Sequence, residues 1–134
     1  MIEIRSLKKC FGTYEVIKDL TLDVNKGEVL CLIGASGSGK STLLQCINGL
    51  HSIQGGSIVV DGINVHDKKT NLNTLRRKLG IVFQQYNAFP HLTALENVAL
   101  APRIVGKLPR AQARELARKH LAHVGLADKA NEMP

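Results

Sequence analysis

Gly34-Ala35-Ser36-Gly37-Ser38-Gly39-Lys40-Ser41-Thr42 fits the pattern Gly-x-x-x-x-Gly-Lys-Ser/Thr, and it follows the apolar run Val29-Leu30-Cys31-Leu32-Ile33. The context carries the reading. A strand that ends, turns sharply and feeds a helix presents that helix's first amides to a phosphate. Gly34, Gly37 and Gly39 have no Cβ, so the backbone can approach a ligand closely. Lys40 supplies a cation for terminal phosphates, and the Ser41 hydroxyl a ligand for magnesium. A glycine-rich turn before an ordinary helix is the plainer account, and the strand and helix on either side argue against it.

Composition narrows the setting. A chain of 134 residues suits one domain with a real core, and 44% hydrophobic with 22% charged residues is globular. No apolar run reaches the ~20 residues that a membrane-spanning helix needs, and Met1-Ile2-Glu3-Ile4-Arg5 does not read as a signal peptide. Cys10, Cys31 and Cys46 lack Cys-x-x-Cys spacing. No disulfide framework is expected, and Cys31 and Cys46 read as small core residues in a cytosolic chain. The net charge of +7 raises nucleic-acid binding, but two Tyr, three Phe and no Trp offer few stacking platforms. The basic residues are also scattered, so solvated faces or a surface near anionic lipid are preferred to nucleic acid.

Outward from the loop, Ile2 and Ile4 alternate with polar residues, as do Leu20, Leu22 and Val24, which predicts two half-buried strands. The unbroken apolar stretch from Glu28 to Ile33 predicts a strand covered on both faces, as in a parallel sheet. Leu43, Leu44, Ile47 and Leu50 give the following helix its spacing, with a stop near Asn48-Gly49. Gly55-Gly56 breaks the chain, and Ile58 to Val65 reads as a hairpin turning at Asp61-Gly62. Leu72 to Lys78 predicts one or two helical turns, and Leu79 to Phe83 another apolar strand. Thr93-x-x-Glu96 is a capping box, Pro102 is expected to kink or end the helix it opens, and Pro109 opens a last helix to Gly125. Ala113, Leu116, Ala117, Leu121 and Val124 form that helix's apolar stripe; Arg110, Arg114 and Arg118 share a basic face.

Other candidates are weaker. His120 and His123 lie one turn apart without a completing cysteine, which favours surface histidines over a metal site. Gln84 closes the Ile81-Val82-Phe83 run; a strand end there opens on the nucleotide crevice, where an amide oxygen could bind magnesium or orient a water. Phe11 is either core or a stacking surface for a flat purine, with Tyr14 the second choice for that task.

In this order the residues resemble the N-terminal part of the nucleotide-binding subunit of an ABC transporter. The likeness runs through Lys9-Cys10-Phe11-Gly12, Lys26-Gly27-Glu28, the phosphate loop, Asp61-Gly62 and Gly80-Ile81-Val82-Phe83-Gln84-Gln85. Leu44-Gln45-Cys46-Ile47-Asn48 and the stretch from Phe89 to Pro102 resemble the polar amino-acid importers in particular. The resemblance implies an α/β P-loop NTPase fold, incomplete, with an N-terminal antiparallel β part. The β part and loop core would span about residues 1–92, and the start of a helical subdomain about 93–134. It implies ATP and magnesium as ligands, with Gly34, Ala35, Ser36, Gly37, Ser38, Gly39, Lys40, Ser41 and Thr42 as the phosphate loop and Lys40 on the terminal phosphates. Phe11 would stack on adenine, Ser41 would hold magnesium, and Gln84 would touch magnesium and its water. The implied partners are transmembrane permease subunits, met from Tyr86 onward, and a second nucleotide-binding subunit, at the inner face of the membrane.

The family's pattern continues past Asn131-Glu132-Met133-Pro134 into a Leu-Ser-Gly-Gly-Gln signature, an acidic strand with a catalytic glutamate, and a switch histidine. None of these occurs within the 134 residues. The chain is therefore expected to keep the phosphate cradle, to hydrolyse ATP negligibly alone, and to leave apolar faces open to water. Two alternatives stand beside the importer: a nucleotide-binding fragment without catalysis, and an ABC-type ATPase with a role in division or DNA repair.

Overall fold

Alternating residues at the N-terminus build a long hairpin in the computed structural model, which describes residues 1–134. Strand β1 (Ile2–Phe11) pairs antiparallel with β2 (Tyr14–Val24). Both strands reach further than the alternation predicted, β1 past Arg5 and β2 back to Tyr14. The alternation is broken because β1 carries an irregularity between Ile4 and Leu7, where Ser6 has a φ of 43°. That extra residue puts Ile4 and Leu7, three apart, on the same buried side. Arg5 pairs with Asp23 and Lys8 with Glu15 (2.9 Å) across the hairpin.

The chain divides into two units, residues 1–81 and 82–134. In the first, β3 (Gly55–Val60) and β4 (Ile63–Asn64) complete a four-stranded antiparallel sheet of order β2-β1-β3-β4. Asp61 and Gly62, with φ of 46° and 78°, make the expected turn between them. Gly55-Gly56 begins β3 instead of breaking the chain. A Cβ on Gly56 would stand 2.3 Å from the carbonyl oxygens of Arg5 and Ser6, so the β1 irregularity requires glycine opposite it. Helix α1 (Lys40–Ile47) lays Leu43 and Cys46 into a core with Ile4, Leu7, Ile17, Ile58, Val60, Val65 and Leu75. Each fully buried aliphatic residue there contributes roughly 1.5–3 kcal/mol. Leu44 is half-exposed and Leu50 lies past the end of α1, so the helix's apolar stripe is narrower than its leucines suggested. A short helix, α2 (Leu72–Arg76), is capped by Asn71, whose side chain accepts from the Asn73 and Thr74 amides.

Two predicted strands are not strands. The segment from Glu28 to Ile33 has no ladder partner, and Val29 and Ile33 are 95% and 93% exposed. Cys31 is likewise exposed, not a core residue. Residues 79–83 also lack strand pairing, with Val82 almost bare. A strand needs hydrogen-bonding neighbours, and the sheet formed by these 134 residues contains none for either run.

The second unit is a helical hairpin of α3 (Ala94–Ile104) and α4 (Arg110–His123), cored by Leu95, Ala99, Ala113, Ala117 and Leu121. Val124, expected in the apolar stripe, is exposed instead, because α4 ends at His123 and Val124 is its C-cap. The capping box is formed: the Glu96 amide donates to Thr93 Oγ1 at 3.2 Å, and Glu96 accepts from the Thr93 amide. The Ala94 and Leu95 amides donate to the carbonyls of Glu132 and Ala130, so every free donor of the first turn of α3 is satisfied. Pro102 neither stops α3 at once nor sits at its end; the helix runs two residues further. Leu126 and Gly125 amides return to the carbonyls of Leu121 and Ala122 and close α4. No helix is long and apolar enough to cross a membrane.

Candidate functional site

The loop from Gly34 to Thr42 connects the unpaired apolar run to α1. Gly37 and Gly39 have φ of 80° and 91°, a region that side chains disfavour. A Cβ on Gly39 would also stand 3.1 Å from Val16 Cγ1, so β2 packs directly beneath the loop's last turn. The Ser38 amide donates to the Ala35 carbonyl at 3.2 Å, which curls the loop back on itself. Lys40 Nζ holds that curl by donating to the carbonyls of Gly34 (2.8 Å) and Ala35 (2.7 Å) and to Ser38 Oγ (3.2 Å).

The start of α1 differs from that of α3. Gly39 is its N-cap and offers no side chain, no acidic residue lies in the first turn, and the first helical bond runs from Leu43 to Gly39. The amides of Lys40, Ser41 and Thr42 therefore have no partner in the protein, while α3 has used all of its equivalents. Three free donors, the positive end of a helix and an ammonium group in one loop constitute an anion cradle. A cavity of about 430 Å³ opens beside it, lined among others by Val16, Leu20, Leu32, Ile33 and Lys40.

The far end of α1 is anchored by residues that sequence reasoning missed. Arg76 donates through Nε to the Asn48 carbonyl (3.0 Å) and through Nη2 to that of Gly49 (2.9 Å). A cation at a helix C-terminus complements the cradle at the other end. His66 Nε2 lies 3.0 Å from the Cys46 carbonyl, and burial lowers its pKa below the ordinary value, opposed by that hydrogen bond. Burial also raises the pKa of the Cys46 thiol. No motif or period links positions some twenty to twenty-eight apart, so the sequence held no signal for these contacts.

Phe11 ends β1 and pairs in register with Tyr14 across the turn. It is 45% exposed; His51, just past α1, meets it edge-on at 5.1 Å, and Lys9 Nζ stands 4.5 Å from its ring centre. Tyr14 is more exposed still. Gln84 belongs to the second unit, in an exposed stretch without secondary structure. His120 and His123 occupy the last turn of α4, both exposed.

The sequence profile of the family described as "ABC transporter" matches residues 17–134. The chain is 46% identical to the glutamine transport ATP-binding protein GlnQ of Geobacillus stearothermophilus, over 100% of this chain and 55% of that protein. It is 48% identical to the glutamate/aspartate import ATP-binding protein GltL of Escherichia coli (strain K12), over 100% and 56%. Among solved structures, the ATP-binding cassette MJ0796, a dimer in a post-hydrolysis state bound to ADP and Pi, superposes with a TM-score of 0.87 at 35% identity, over 100% and 62% of the two chains. The chain spans a little over half the length of the curated relatives it matches.

Proposed function

The chain belongs to the ABC transporter family, and from that premise we propose that it forms the nucleotide-holding part of an ATP-binding subunit of an importer for polar amino acids. The carrying observation is the unpartnered first turn of α1, with Lys40 folded over the loop that precedes it. On this reading a triphosphate replaces the loop carbonyls as the partner of Lys40 Nζ, and the Lys40, Ser41 and Thr42 amides take its oxygens. Ammonium-to-phosphate bonds are charge-assisted, so the exchange favours the ligand.

Magnesium fits the donors available. The Ser41 hydroxyl, exposed in the first turn of α1, is a hard ligand of the type that the ion takes. The ion would offset charge on the phosphates, while Ser41 places its hydroxyl in the first turn of α1. Phe11 offers an exposed ring for adenine. Residues from Tyr86 onward would meet permease subunits at the inner face of the membrane, and a second nucleotide-binding subunit would complete the ATP site. Hydrolysis coupled to uptake is the activity proposed for the whole subunit. The solute class rests on relatives whose names specify glutamine and glutamate/aspartate.

Calorimetric titration of the full 134-residue chain with ATP and magnesium tests the reading. Saturable binding that Lys40→Ala weakens roughly ten- to hundredfold is expected from loss of a charge-assisted bond. Equal affinity in wild type and variant would refute it.

A further inference from the structure

A cavity of about 260 Å³ lies between α3 and α4, inside the second unit, and Arg103, Arg110 and Arg114 all line it. Ala99 and Ala113, both buried at the helix contact, form part of its floor; their small side chains leave the space above them unfilled. Glu96 is the one acidic residue lining it. Its Oε2 is committed to the capping box, and its Oε1 stands 3.9 Å from Arg114 Nη1. Arg103 and Arg110 form no ion pair.

Three arginines thus line a cavity whose one carboxylate its own helix already uses. Like charges lining one cavity repel one another, and a cleft lined by one sign of charge focuses that field. An anion with several oxygens relieves that repulsion, and guanidinium forks match phosphate geometry better than ammonium groups do. The same cavity offers apolar walls for whatever carries the phosphate. We propose that this cavity is a phosphate-binding site, separate from the Gly34–Thr42 loop, in which Arg103, Arg110 and Arg114 are the donors. The phosphate comes either from a small soluble phosphate or from a lipid headgroup.

The test uses the full chain carrying Lys40→Ala, which removes the loop's own claim on phosphate. Inorganic phosphate is titrated while the arginine Nε–Hε resonances are followed. In parallel, the protein is sedimented with vesicles of phosphatidylcholine alone or mixed with phosphatidic acid. Saturable shifts of the Arg103, Arg110 and Arg114 signals, with affinity reduced roughly tenfold or more by Arg110→Gln with Arg114→Gln, support the site with a soluble ligand. Sedimentation that needs phosphatidic acid and is lost in the same double variant supports it with a headgroup. Lysine at both positions keeps the charge without the fork and should restore binding only in part. Non-saturating shifts together with vesicle retention unchanged by the glutamine substitutions would overturn the proposal. Arg110 is exposed and Arg114 half-exposed, so neither substitution disturbs the core of the helix pair.

Discussion

Single residues decide how the cradle works. Lys40 curls the loop through the Gly34 and Ala35 carbonyls, and on the proposed function it also meets phosphate. Gly39 turns the chain at φ 91° above Val16. Placing alanine there brings strain on the order of 1–3 kcal/mol, so Gly39→Ala is expected to lower both the thermal midpoint and ATP affinity, measured by scanning calorimetry and titration. His66 gives the first unit a pH dependence. Burial depresses its folded-state pKa, and the Lys9 ammonium acts in the same sense, so the unfolded chain takes up the proton first on acidification. Stability is then complete above the ordinary histidine value of 6.5 and falls as the pH drops towards the folded value. Urea midpoints at pH 7.5 and 5.5 should separate in wild type and draw together in His66→Gln.

Elements differ in how far their own sequence defines them. The box at Thr93 and Glu96 was readable because four consecutive residues contain all of it, and the structure forms it. Thr93→Ala should destabilise the α3–α4 pair by about 1 kcal/mol, read from urea unfolding followed by helix circular dichroism. No change would mean that the Ala130 and Glu132 carbonyls suffice as caps. The Asp61-Gly62 turn and the sharp turn at Gly34–Thr42 into α1 were legible for the same reason, since each is a local pattern. The runs at 28–33 and 79–83 were not, because apolar content shows that a segment can be buried but not whether a neighbour is present to pair with it. The β1 irregularity was equally hidden: the glycine it requires, Gly56, lies fifty residues downstream of Ser6. The anchors of α1 at His66 and Arg76 are long-range contacts of the same kind.

At the scale of the whole molecule, the antiparallel sheet and α1 form one cored unit and the α3–α4 hairpin another. The apolar run entering the Gly34–Thr42 loop is bare, with Val29 and Ile33 exposed and unpaired, and Val82 in the run 79–83 is equally bare. Amide hydrogen exchange should therefore be fast across 29–33 and slow in β1 and β3, a contrast that pairing of the run would abolish. The central claim is that the free amides of α1 grip a triphosphate. Its most direct measurement is the set of backbone amide resonances on adding ATP and magnesium to the full chain. Large, saturable downfield shifts at Lys40, Ser41 and Thr42, absent in Lys40→Ala, are the predicted result. Binding that leaves those three amides unmoved would contradict the account.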